Sequence, residues 1–246
     1  MFIARRKAGN WFILPGLIKN FRAKPVRRGP GCPVSDREGE FAEERDRMVE
    51  IQLKERGIKD DKVLQAMRKV PRHLFVPEEM KPFAYGDEPL PIGEGQTISQ
   101  PYIVAYMTEA LELKGEETVL EVGTGSGYQT AVLAEIARQI YTIELVEVLS
   151  LRAQEILQKL GYSNISFKIG DGTLGWQEHA PFDAMMVTAA PPSVPKRLQD
   201  QLRVSGKMVI PVGSCFQELV LISREKKTFK RKRLLPVRFV PLITTH

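Results

Sequence analysis

Three glycines at alternate positions, Gly123, Gly125 and Gly127, follow the apolar run 118–122, and Glu121 stands two residues before the first of them. Glycine lets a backbone approach a ligand closely where a Cβ would obstruct it. The helical pattern that follows would offer free N–H groups at its start. A dinucleotide enzyme spaces such glycines GxGxxG and seats a pyrophosphate on the helix end. Here the spacing is GxGxG behind a carboxylate. Glu121 disfavours a diphosphate and suits the ammonium of an amino-acid moiety, directly or through water, which points to S-adenosylmethionine rather than NAD. The competing reading is a tight turn with Glu121 merely solvated, and it leaves the strand and helix context of the glycines unused.

Two further carboxylates fall at the ends of apolar runs. Glu144 closes the run 139–144, 23 residues after Glu121, where an acidic side chain can accept hydrogen bonds from both hydroxyls of a ribose. It could instead be a surface residue favouring a helix N-terminus. Asp171, in Gly170-Asp171-Gly172 after the run 165–169, could meet an adenine amino group, although Asp and Gly are also ordinary turn formers. The expected cofactor-binding set is Glu121, Gly123, Thr124, Gly125, Ser126, Glu144, Leu145, Asp171 and Gly172.

The elements that must position these residues are legible from hydrophobic periodicity. Apolar runs at 118–122, 139–144, 165–169, 183–188 and 207–212 read as strands, with helical patterns between most of them. Tyr128, Ala131, Val132 and Ile136 mark one helix; Leu149, Ala153, Ile156, Leu157 and Leu160 mark the next, with Gly161 as its C-cap. Such alternation predicts an α/β fold, a mostly parallel sheet with helices on both faces. Glu218–Ser223 and Leu234–Ile243 have no helix between them and predict an antiparallel C-terminal hairpin.

Upstream, Phe41, Met48 and Ile51 fall near one helical face, and Asp60 or Asp61 can cap a second helix that carries Val63, Leu64, Met67 and Val70 and stops at Pro71. The segment 83–101 holds Pro89, Pro91, Gly93 and Gly95 and reads as an ordered loop rather than a regular element. The expected organisation is a basic, flexible extension over 1–40 and a single domain over 41–246, with N-terminal helices and a substrate loop in 41–100 and the cofactor-binding sheet in 101–246.

The net charge of +6 is concentrated at one end: residues 1–31 hold eight basic and no acidic side chains, leaving 28 basic against 30 acidic elsewhere. The body is therefore not a basic nucleic-acid-binding domain. The run Arg224, Lys226, Lys227, Lys230, Arg231, Lys232, Arg233 is read as protection of an exposed sheet edge. Cys32 and Cys215 belong to no CxxC pair or Cys/His cluster, so neither a disulfide framework nor a metal site is indicated and a reducing, cytoplasmic compartment is expected. The apolar stretch Trp11–Ile18 loosely resembles a secretory signal, but Pro15 and Gly16 interrupt it and no small-residue cleavage site follows. His73, among apolar residues, is expected to pack rather than catalyse.

Five segments together, GQTISQP at 95–101, LEVGTGSGY at 120–128, GDG at 170–172, TAAP at 188–191 and IPVG at 210–213, resemble the protein-L-isoaspartate O-methyltransferase family in wording, order and spacing. The likeness runs from about residue 45 to 244 and includes the closing Arg238-Phe239-Val240-Pro241-Leu242. It implies a Rossmann-like S-adenosylmethionine-dependent methyltransferase fold. The implied activity is methylation of the α-carboxyl of L-isoaspartyl residues, less efficiently D-aspartyl ones, in damaged proteins. Repair then proceeds through a succinimide, and S-adenosylhomocysteine is the product. It also implies Ser99 as the active-site residue, with Thr97, Ile98 and Gln100 binding substrate beside it, no metal, no nucleic acid or membrane partner, and a monomer. Read without the family, Ser99 would serve as a cap for the helix after Pro101. The alternatives are a methyltransferase acting on RNA or a small molecule, and a non-catalytic cofactor-binding module. The segment Thr188-Ala189-Ala190-Pro191-Pro192-Ser193 has no aromatic residue to stack a base.

Overall fold

The computed structural model describes residues 37–245. Most of the basic extension over 1–40, and Cys32 with it, lies outside the described residues. Helix α1 (Arg37–Arg47) begins four residues ahead of the expected Phe41. It continues into a π-helical turn, Met48–Lys54, whose carbonyls accept N–H groups five residues further on, Glu50 O from Glu55 at 3.1 Å and Leu53 O from Ile58 at 3.1 Å. The wider turn corrects the expected face. Met48, Val49 and Leu53 are buried, whereas Ile51 is 46% exposed, because each residue rotates less about the axis and position i+3 no longer comes round to the core. Helix α2 (Asp61–Lys69) is capped as expected, with Asp60 Oδ1 accepting the N–H groups of Lys62 at 2.8 Å and Val63 at 3.4 Å.

Segment 83–101 departs from the expected loop. Leu90–Gly93 (β1) and Gln96–Ile98 (β2) pair antiparallel as a small hairpin, and the positive φ angles of Gly93, Glu94 and Gly95 turn it. Its prolines are tolerated because a two-stranded ribbon leaves half of its N–H groups unpaired in any case. Helix α3 (Pro101–Leu111) follows at once.

The main sheet holds seven strands: β3 (Thr118–Val122), β4 (Gln139–Glu144), β5 (Ile165–Ile169), β6 (Phe182–Val187), β7 (Leu202–Val212), β8 (Gln217–Arg224) and β9 (Phe229–Val237). Their order is β5-β4-β3-β6-β7-β8-β9, with β3 to β7 parallel and β8 and β9 antiparallel additions. Helices α4 (Tyr128–Ala134), α5 (Glu147–Lys159) and α6 (Lys196–Gln201) form the crossovers. Side chains alternate between faces: Val119 joins the larger apolar cluster with α4 and α5, while Leu120 and Val122 join a second cluster with Leu198 of α6. Each such buried aliphatic residue contributes about 1.5–3 kcal/mol of apolar burial.

The expected last strand, Leu234–Ile243, is displaced to Phe229–Val237. An edge strand with solvated faces can be written in lysine and arginine, so apolar content underestimates where it starts. The apolar stretch Val240–Ile243 is instead a strap, tied to Ala190 by Ala190 N–H to Val240 O at 2.8 Å and Leu242 N–H to Ala190 O at 2.9 Å. His73 packs as expected, buried and stacked on Phe41 at 4.1 Å, with Nδ1 2.8 Å from the Tyr85 hydroxyl. Its neighbour Arg72 is fully buried, donating from Nε to Ala84 O at 2.7 Å and lying 4.8 Å over the Tyr128 ring. Among the described residues no helix is long and apolar enough to cross a membrane.

Candidate active site

Strand order reverses at β3, since β4 and β5 lie to one side and β6 and β7 to the other. In open α/β sheets the crevice outside the carboxyl ends at such a switch point is the ligand site. The turn after β3 lies there. Gly123, Gly125 and Gly127 have φ of +95°, +52° and +86°, conformations that L side chains rarely adopt. A Cβ on Gly123 would also collide with Thr188 Oγ1. The turn therefore needs glycine for its own shape as well as for a ligand.

A cavity opens beside this turn. The sequence-predicted Gly123, Thr124, Gly125, Ser126, Glu144, Leu145 and Gly172 all line it, and so do Thr97, Ile98 and Ser99. A second cavity adjoins it, lined by Pro89, Gln100, Ile103 and the segment from Pro236 to Val240. Thr97, Ser99, Thr188 and Val240 face both, so they form the partition between the two.

Glu144 sits 8% exposed at the end of β4, with Oε2 accepting the Gly125 N–H at 2.8 Å and Oε1 accepting the Val146 N–H at 2.9 Å. It thus clamps the glycine turn to the start of α5. Each oxygen keeps a lone pair for hydroxyl donors.

Glu121, expected to meet a ligand ammonium directly or through water, is not among the residues that line the cavity. Its carboxyl is fully buried beneath the turn, outside the cavity wall. Oε2 accepts the hydroxyls of Thr130 at 2.5 Å and Thr142 at 2.7 Å, and Thr142 Oγ1 lies 2.6 Å from Thr124 Oγ1, which faces the cavity. Burial pushes its pKa up to about 8, with Glu144 adding to the rise and the two threonine hydrogen bonds opposing it. The physical reason is strand alternation: Glu121 lies on the face that packs against α4 and not at the strand tip.

Asp171 is likewise displaced from the cavity wall, where its neighbour Gly172 stands instead. It caps a short 3-10 turn, with Oδ1 accepting the Thr173 N–H at 2.9 Å and hydroxyl at 2.7 Å, while Oδ2 accepts the Thr245 N–H at 3.3 Å and hydroxyl at 3.4 Å. Burial raises its pKa, and these hydrogen bonds outweigh it, holding the carboxyl below the ordinary value.

Ser99 does not cap α3; the capping position is Gln100, without a side-chain bond, and Gln100 Nε2 donates instead to Asp87 O at 3.0 Å. The Ser99 hydroxyl makes no hydrogen bond among the described residues, although it faces both cavities.

Three contributors were not anticipated from sequence. Thr188, at the end of β6, donates to Gly123 O at 2.6 Å and fixes the partition. Gln129 lines the cavity from α4 while donating to Thr108 Oγ1 at 3.0 Å. The strap Val240–Ile243 walls one side. The signals available in the sequence were the TAAP segment at 188–191 for Thr188 and the closing Arg238-Phe239-Val240-Pro241-Leu242 for the strap.

No Lys, Arg or His lines the first cavity, and its walls join apolar side chains such as Val122, Ile143 and Leu242 to hydroxyls and one carboxylate. These residues fit a cationic, unphosphorylated cofactor with an aromatic end and offer no cation to a diphosphate. Among the described residues no cluster of three or more His, Cys, Asp or Glu could hold a metal ion.

The model of a family described as protein-L-isoaspartate(D-aspartate) O-methyltransferase matches residues 43–246. A curated protein-L-isoaspartate O-methyltransferase 1 from Syntrophobacter fumaroxidans is 57% identical over 204 residues, covering 82% of this chain and 95% of that protein. A solved protein-L-isoaspartate O-methyltransferase is similar with a TM-score of 0.75 and 27% identity, over 80% of this chain and 65% of that one. Another, a putative enzyme of the same description from Plasmodium falciparum in complex with S-adenosyl-L-homocysteine, has a TM-score of 0.71 and 27% identity, over 82% of this chain and 99% of that one.

Proposed function

The chain belongs to the protein-L-isoaspartate(D-aspartate) O-methyltransferase family, and from that premise we propose how its residues divide the work. The enzyme transfers a methyl group from S-adenosylmethionine to the α-carboxyl of L-isoaspartyl residues in damaged proteins. The ester then closes to a succinimide, which can reopen as normal aspartate.

When bound, S-adenosylmethionine supplies a methyl group already activated on a sulfonium. The accepting carboxylate is an anion at neutral pH, so no residue has to remove a proton and alignment is the principal demand. Ser99 is the catalytic residue, donating its free hydroxyl to the substrate carboxylate at the partition between the cavities. Thr97, Ile98 and Gln100 shape the approach, and Arg238, the cation of the second cavity, draws the anion in. Glu144 holds the ribose hydroxyls, and Thr124, Ser126 and Gly125 receive the amino-acid end. Glu121 acts through Thr142 and Thr130 as a positioning residue for the turn. Asp171 orders the wall at Gly172 and is aligned with the adenine through that turn.

The observation that carries this assignment is an unpartnered Ser99 hydroxyl on the wall shared by a cation-free cavity and the second cleft beside it. The reading extends to a single domain from about residue 41 that works as a cytoplasmic monomer. Two cysteines in 246 residues support the compartment. The monomer is supported by exposed large apolar residues, such as Phe83, Leu151 and Phe216, that are scattered over separate elements.

Methyl-labelled cofactor and two peptides differing only in aspartate or isoaspartate test the reaction. Base-labile label on the isoaspartyl peptide alone is the expected result; label on neither, or on RNA, overturns it. Ser99→Ala is expected to lower kcat by about a hundredfold, the loss of a single oriented donor, with cofactor affinity unchanged.

A further inference from the structure

The edge of the main sheet is basic, and it leads into the cleft that holds Ser99. β9 is the last strand in sheet order, and Lys230, Arg231 and Lys232 on it are exposed. Of its four consecutive cations, Arg233 alone is ion-paired among the described residues, with Glu218 at 3.3 Å. From Lys226 to His246 the sequence holds seven Lys and Arg and no Asp or Glu, within a body where acidic side chains otherwise predominate. Successive strand residues point to opposite sides, so the cations flank β9 on both. A lysine or two suffices to discourage edge-to-edge pairing; an unbroken run that continues towards Arg238 exceeds that need.

The run is also continuous with the substrate cleft. Pro236 and Val237 end β9 and line the cavity that Ser99 and Thr97 line from the other side. At about 3.3 Å per residue, Lys232 lies roughly 16 Å back along the strand from Val237. An extended polypeptide with its damaged residue at Ser99 would span that distance in about five residues.

We propose that Lys230, Arg231 and Lys232 form a docking site for acidic side chains of the substrate polypeptide, about five to seven residues from the isoaspartyl position. The enzyme thereby favours damage that arises within acidic segments. Charge complementarity of this kind acts chiefly on encounter and on KM and weakens as salt is added. The proposal rests on the substrate carboxylate meeting Ser99.

The test uses the full chain and three isoaspartyl peptides identical except for three residues placed five to seven positions from the damaged one: glutamates, glutamines or lysines. At low ionic strength the wild type is expected to show kcat/KM about tenfold higher for the glutamate peptide than for the glutamine peptide, through KM, and the advantage should fade at high salt. In the triple variant K230Q/R231Q/K232Q the advantage should fall below about twofold while kinetics with the glutamine peptide stay unchanged, which also reports an intact fold. A wild type indifferent to the flanks overturns the proposal. So does a triple variant that keeps the preference, or tight RNA binding lost in that variant while its peptide preference persists. Ser99→Ala suppresses turnover on all three peptides alike, so a misplaced active site is distinguishable from a misplaced docking strand.

Discussion

Glu121 and Glu144 are neighbouring buried carboxylates with opposite duties, and the difference is which way each side chain leaves its strand. Glu144 turns to the cavity and carries two backbone N–H groups; Glu121 turns inward and carries two threonine hydroxyls on one oxygen. A folded-state pKa of about 8 against an ordinary 4.5 means that the folded protein binds this proton more tightly than the unfolded chain. The associated stability is complete below the ordinary value and is lost as pH rises through about 8. Glu121→Gln, which keeps the shape and needs no proton, is expected to gain stability relative to the wild type between pH 5 and pH 9, by at most about 1.4 kcal/mol per unit. Thermal unfolding across that range checks it, and parallel stability curves would count against it. Both glutamates were visible in the sequence as cofactor candidates, Glu121 because it stands two residues before the glycine turn and Glu144 because it closes an apolar run. The surroundings of Glu121 were not, because Thr142 comes opposite it only through the parallel register of β3 and β4, and Thr130 through the packing of α4.

The elements that bear the site were the most legible part of the chain. Strands β3, β4 and β6 and the second half of β7 are mostly buried and read as apolar runs, the half-buried edge strand β5 is apolar enough to read likewise, and their alternation with helices predicted the mostly parallel sheet. Illegible elements had other determinants. The π-helical turn at Met48–Lys54 shifts the buried face away from the ordinary helical period; the β1/β2 hairpin is held by positive-φ turn residues within a proline-rich stretch; β9 carries its signal in charge. The glycine turn joins sequence and site most directly. Gly123→Ala is expected to weaken cofactor binding at least tenfold and to lower the melting temperature, because a side chain there must adopt a left-handed conformation and push Thr188 off the partition. Calorimetric titration with S-adenosylhomocysteine measures the first effect and a melting curve the second; near wild-type affinity would show that the turn can yield.

Across the whole molecule, the cofactor cavity is assembled from segments far apart in the chain: the 96–99 hairpin strand, the turn after β3, the end of β4 and the strap at Val240–Ile243. The strap resisted sequence reading because an apolar stretch beside a strand looks like more strand, and only its bonds to Ala190 separate it from the sheet. Removing the residues from Ile243 onward deletes part of the wall and the Thr245 bonds to Asp171. The expected result is cofactor affinity about tenfold weaker, the scale of two or three lost contacts, with turnover at saturating cofactor retained; unchanged affinity in a titration would remove the strap from the binding site. The neutrality of the rest of that wall bears on how the enzyme behaves inside a cell. In the proposed arrangement, hydroxyls, backbone amides and apolar side chains would grip the adenosine and amino-acid portions that a fresh and a spent cofactor share, and with the one charged side chain, Glu144, given to the ribose they would distinguish poorly between a sulfonium and the uncharged thioether left after transfer. The spent molecule should therefore compete for the cavity on nearly equal terms. Repair would then slow whenever methylation elsewhere in the cell raises the ratio of spent to fresh cofactor, which makes its rate a readout of methyl supply as well as of damage.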